Sequence, residues 1–147
     1  MKARGHILIK TSSVIFILYG AASLLALLLA LLSPERAAEY GIDERLTSAF
    51  PALSIALAVL LPLLFVAAGL IGMVRADFPN SMGLGFVLGI VILLLAIGDV
   101  IDLARGGQMS NLAEICTCIL ILLVPAVYVI GAWRNWKQPK PPATEQK

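Results

Sequence analysis

This sequence has little charge. Lys, Arg, Asp and Glu together make 14% of the 147 residues, where ordinary soluble domains carry about a quarter. Histidine occurs once, at His6, and cysteine twice, at Cys116 and Cys118. A lone histidine has no histidine partner for zinc, and two cysteines are too few to staple a small secreted domain. What fills the chain is apolar: 60% of residues are hydrophobic and mean hydropathy is +0.95. That composition excludes a water-soluble monomer, and it equally excludes a disordered chain, which lacks the apolar residues to collapse.

The scarce charges divide the chain. Four intervals hold no Lys, Arg, Asp or Glu: Thr11 to Pro34, Leu46 to Val74, Phe78 to Gly98 and Ile115 to Trp133. About 20 apolar residues, at 1.5 Å each, carry a helix across a hydrocarbon core. Runs such as LLALLLALL and VILLLAI lack the alternation of barrel strands, and a backbone without water must then satisfy itself as helix. The expectation is an all-α integral membrane four-helix bundle over residues 1–137, with spans at about 11–33, 48–74, 81–105 and 112–133. Residues 138–147, with three prolines and no apolar run, are expected to form a disordered cytoplasmic tail. The first apolar run exceeds the core of a cleaved leader and is expected to remain as a helix.

Basic residues set the orientation. Lys2, Arg4 and Lys10 precede the first span, Arg75 follows the second, and Arg134, Lys137, Lys140 and Lys147 follow the fourth. The two other loops hold Arg36, Arg45 and Arg105. Both termini are therefore expected in the cytoplasm of a multi-pass plasma (inner) membrane protein, with Trp133 and Trp136 as interfacial anchors. The lipid bilayer is the obligatory partner. The net charge of +2 serves topology, and nucleic acid is not an expected ligand.

Local signals mark the ends. Ser33, Pro34 and Gly41 are expected to bound a short surface helix, with Asp43 expected to cap a second turn. Pro51 marks entry to the second span. Asn80 or Ser81 is placed to cap the third, Gly106 and Gly107 to end it, and Asn111 with Glu114 to cap the fourth.

Helices in lipid meet where small residues allow close approach and where polar groups pair. Stripes at helical spacing predict the packed faces: Tyr19, Ala22, Ala26 and Ala30; then Ala58, Pro62, Phe65, Gly69 and Gly72. The third helix offers Gly85 and Gly89 as GxxxG, continued through Ile92 and Ala96 to Asp99, which is thereby expected to face protein. The fourth carries Glu114, Thr117, Ile121, Val124, Tyr128 and Gly131. A second interpretation of these stripes is a polar path past the Tyr19 and Tyr128 hydroxyls. No span has a charge near its centre, where coupled pumps place one.

Candidate chemistry is thin. Asp99, Asp102 and Glu114 flank the predicted outer loop, where oxygen ligands one helical turn apart suit a hard cation, and they are the candidate cation or substrate site. Arg105 is equally placed to pair with Asp102, and Glu114 to cap. Cys116 and Cys118 point about 200° apart on a helix and cannot bond to one another there; they are expected as small buried apolar residues. A cysteine pair near the outer start of a span resembles quinone-linked disulfide-forming membrane proteins, but the spacing is CxC and no second pair exists to relay electrons. GMVRAD and GLGFVLG lack the strand-to-helix context of a phosphate loop. No catalytic residue, cofactor or metal is assigned.

The layout, a lysine-bearing start before a span containing YGAAS and a last span closing as VPAVYVIGAWRNWK, is similar to that of small four-span bacterial membrane proteins of uncharacterised role. That resemblance implies an inner or plasma membrane location and no defined activity. The expected function is non-enzymatic, exerted through helix contacts in a homo-oligomer or with a membrane-protein partner. The alternative is a small transporter or channel formed by oligomerisation, with the outer acidic residues as its site.

Overall fold

Four helices account for almost all of the described chain. The computed structural model describes residues 3–32, 51–105 and 112–139, the side chains of 51–55, Asp102 and Ala113 excepted. In chain order the helices are α1 (His6–Leu32), α2 (Pro51–Arg75), α3 (Gly83–Arg105) and α4 (Leu112–Trp136). There is no strand among the described residues, and each helix contains a stretch long and apolar enough to cross a membrane. The signals proposed at Ser33 to Asp43, at Gly106 and Gly107, at Asn111, and in the tail from Lys140 onward lie outside the described residues.

Two ends differ from the expected spans. Helix α1 starts at His6, before Lys10, and α4 continues past Trp133 to Trp136. Both extensions have local causes. Gly5, at φ 83°, turns the chain into α1 in a left-handed conformation that a side chain would resist. A Cβ on Gly5 would also lie 2.7 Å from Gly131 O, so the start of α1 is packed onto α4. At the far end of α4 the Asn135 side chain is fully buried and hydrogen-bonded, which holds the last turn in register.

The α2–α3 connection also departs from expectation. Asn80 adopts φ 55°, a left-handed position that asparagine tolerates, and so forms part of a turn and not a cap. The Ser81 hydroxyl donates backwards, within 2.6 Å of Phe78 O and 2.7 Å of Arg75 O. The first helical bond of α3 runs from Phe86 N–H to Met82 O.

The chain divides into two units, Met1–Ile15 with Ala68–Lys147, and Phe16–Ala67. In the first, α3 packs along α4, and the largest buried side chain is Tyr128, 0% exposed. Its ring occupies space that glycines vacate: a Cβ would lie 3.0 Å from the ring at Gly72 on α2 and 2.7 Å from it at Gly89 on α3. A Cβ at Gly85 would lie 3.0 Å from the phenol oxygen. The phenol donates to Ala68 O at 2.8 Å. One residue of α4 thus touches both α2 and α3. In lipid, such close contact and the interhelical hydrogen bond stand in for the hydrophobic drive that is absent.

Within the second unit, the Phe65 ring meets Phe16 edge-on at 5.4 Å and Tyr19 at 5.0 Å. Gly20 lies against α2, where a Cβ would be 2.7 Å from Pro62 O. The buried residues of α1 are Ile9, Ser12, Ser13, Phe16, Gly20 and Ala30. Of the expected stripe only Ala30 is among them: Tyr19 is 58% exposed, Ala22 exposed and Ala26 half-buried. Alanine is apolar enough to face lipid without cost, so its small size did not fix the face. The close approach of Gly20 to Pro62 O and the contact of the buried Phe16 ring with Phe65 mark the face instead.

These contacts order a set of stabilities measurable by thermal unfolding in detergent. Tyr128→Phe loses one interhelical hydrogen bond and should cost about 1 kcal/mol. Gly89→Leu drives a side chain into the ring and should cost more, about 1–3 kcal/mol. Ser13 Oγ is buried without a hydrogen-bond partner among the described residues, so Ser13→Ala should leave the protein as stable as wild type or slightly more so.

Candidate functional site

The residues nominated from sequence as an outer acidic site lie on α3 and α4. Asp99 is exposed, Glu114 is half-buried in the first turn of α4, and the Asp102 side chain is outside the described residues. The α3 stripe is buried at Gly85, Gly89, Ile92 and Ala96 and does not extend to Asp99. Among the described residues no three His, Cys, Asp or Glu side chains converge in a way that could hold a metal. Cys118 is buried, Cys116 is exposed, and both are free thiols. Cys116 therefore departs from the expected burial, because two residues along a helix it points away from the face that Cys118 presents.

The packing positions nominated from sequence are distributed differently. Gly69, Gly72, Gly85 and Gly89 are buried, Gly72, Gly85 and Gly89 around Tyr128. Tyr128 and Tyr19 fall in different units. The Tyr128 hydroxyl is committed to a helix carbonyl.

The best-formed polar cluster is one the sequence did not announce. It gathers the start of α1, the end of α2, the turn into α3 and the end of α4. Asn135 is its centre, 0% exposed. Its Nδ2 donates to Ala76 O at 3.0 Å, and its Oδ1 accepts from Ser81 N–H at 3.2 Å. Its backbone carbonyl accepts from Asn80 N–H at 3.0 Å. One asparagine thus satisfies backbone groups that end α2 and precede α3, groups that a helix cannot satisfy for itself. Beside it, Lys10 on α1 donates to Asp77 Oδ2 at 2.5 Å. With 37% and 41% of their side chains exposed, this pair is worth little more than a surface pair.

An aromatic group flanks the cluster. The Phe86 ring lies 5.3 Å from Trp133 and 5.5 Å from Trp136, and the two indoles are 6.2 Å apart. Lys137 Nζ sits 4.8 Å from the Trp133 ring centre and 5.5 Å from that of Trp136, within range of cation–π attraction. Trp133 and Trp136 remain 45% and 40% exposed. The arrangement is chemically suited to fixing helix ends and presenting cations and indoles outward. The described part of it holds no nucleophile with an activating base.

No family model, curated protein or solved structure matches this chain.

The unequal burial of Asn135 and Lys10 predicts unequal costs. Asn135→Ala leaves the buried carbonyl of Ala76 and the half-buried N–H of Ser81 without this partner and should lower stability by about 1–3 kcal/mol. Lys10→Met should cost less than about 1 kcal/mol. Denaturant unfolding of the two variants in the same micelle would check that order.

Proposed function

We propose that this chain is a non-enzymatic multi-pass protein of the plasma (inner) membrane, acting through helix and partner contacts. The supporting observation is how its polar groups are used. The buried Tyr128 phenol and Asn135 amide are spent on carbonyls and N–H groups of other helices and their connections. They hold helices together and leave no reactive constellation among the described residues. Gly85 and Gly89 act as packing positions in this account, supported by the closeness of the Tyr128 side chain at both. The homo-oligomer or membrane-protein partner meets the apolar helix faces, where Leu18, Leu60, Leu94 and Leu120, one on each helix, are all exposed.

Both termini are cytoplasmic in this proposal. Gly5 lies against Gly131 and Arg134, which brings the beginning of α1 to the end of α4. The basic side chains Arg4, Arg75, Arg134 and Lys137 are exposed on residues at that end, as the positive-inside rule asks of a cytoplasmic face.

Two measurements test the proposal. Reporter fusions at residue 1 and residue 147 should both report the cytoplasm; opposite sides would contradict it. Purified protein in sealed vesicles should give no flux of protons, alkali cations or small zwitterions above empty vesicles. A flux abolished by Asp99→Asn would establish the transporter or channel reading in its place.

A further inference from the structure

We infer that the aromatic and basic end of α4 is a docking surface for anionic phospholipid, with the headgroup held by Arg134 and Lys137 and the acyl chains lying along α4. This rests on reading the helices as membrane spans. Three features of one face lead to it.

The first is charge. Arg4, Arg75, Arg134 and Lys137 all expose their side chains, and none is in an ion pair among the described residues. Contacts gather them: Gly5 would place a Cβ 3.3 Å from Arg134 Cβ, and Asn135 bonds to the carbonyl of Ala76, the residue after Arg75. The acid nearest in sequence to Arg75 is Asp77, and it pairs with Lys10. The local excess is positive and calls for an anion.

The second is the position of the indoles. Trp133 and Trp136 flank Arg134 and are held by Phe86 and by each other. Indoles so fixed and half-exposed match the polar–apolar boundary of a bilayer. Lys137 lies over both rings, which pins its ammonium at the level of the indoles.

The third feature separates a lipid from free phosphate. Below the cations the same side of α4 is apolar and exposed: Trp133, Ile130 and Leu123 follow Lys137 at helical spacing, with 45%, 50% and 52% of their surfaces open. Inorganic phosphate would use the cations and leave this stripe idle. A phospholipid uses both, because its charge and its chains are joined at the spacing at which the helix presents basic head and apolar flank. A negative headgroup gains from each cation near the surface, whereas a zwitterionic one gains much less.

The two tryptophans are the only ones in the chain, so intrinsic fluorescence reads this face directly. The protein would be reconstituted in phosphatidylcholine vesicles carrying the same small fraction of brominated-chain phosphatidylglycerol or brominated-chain phosphatidylcholine. The brominated anionic lipid should quench more strongly, with an apparent local enrichment on the order of fivefold for each basic side chain engaged. In Arg134→Gln with Lys137→Gln the preference should fall towards unity while quenching by brominated phosphatidylcholine persists, showing the variant folded and inserted. Equal quenching of the wild-type protein by both lipids would overturn the docking surface and leave the membrane spans standing. Quenching by neither would remove the spans as well.

Discussion

Inside hydrocarbon a polar group has no water to fall back on, and leaving a backbone N–H or C=O unsatisfied costs several kcal/mol. In a chain with four long charge-free intervals this constraint decides the rest. Under the proposal that these intervals cross a membrane, it accounts for the four helices of the described chain, and it leaves three kinds of polar business: helix ends, turns, and the few side chains that carry oxygen or nitrogen. The structure handles them economically. Tyr128 spends its hydroxyl on Ala68 O, Asn135 closes the ends that face one another across the α2–α3 turn, and Ser81 covers Arg75 O and Phe78 O.

The same constraint explains where stability is concentrated in the first unit. Lipid tails are as apolar as leucine, so exposed Leu94, Leu120 and Leu123 contribute nothing to holding helices together in a membrane. What remains is close packing at missing side chains. The Tyr128 ring fits against Gly72 and Gly89, so a large rigid group on one helix is matched by absent Cβ atoms on two others. The ion pair Lys10–Asp77 adds a further tie, weak because more than a third of each side chain is exposed.

The four long helices of the described chain were legible in the sequence, because each falls on a stretch of about twenty residues without charge. Proline at the start of α2 was legible for a similar reason, since its missing N–H is harmless in a first turn. The inward face of α1 was not. Its alanine stripe and the face carrying Ile9, Ser13, Phe16 and Gly20 are both at helical spacing, and nothing in one helix says which of them will meet a partner. Nor was the site centred on Asn135: its acceptor Ala76 is 59 residues away and Lys10 finds Asp77 across 67, separations at which a single sequence carries no pairing signal. A clue was present in retrospect. Asn135 is an amide between two tryptophans at a span end, where a solvated amide would have been unremarkable and a buried one must have partners. Asn80 misled in the opposite way, since the property that makes asparagine a cap also lets it take a left-handed turn.

Because the account rests on these helices lying in oil, the most direct measurement is extraction of cell membranes with alkaline carbonate. The protein should stay in the membrane pellet through that treatment and enter solution only when detergent is added. Release into the carbonate supernatant would show that the helices do not span a bilayer.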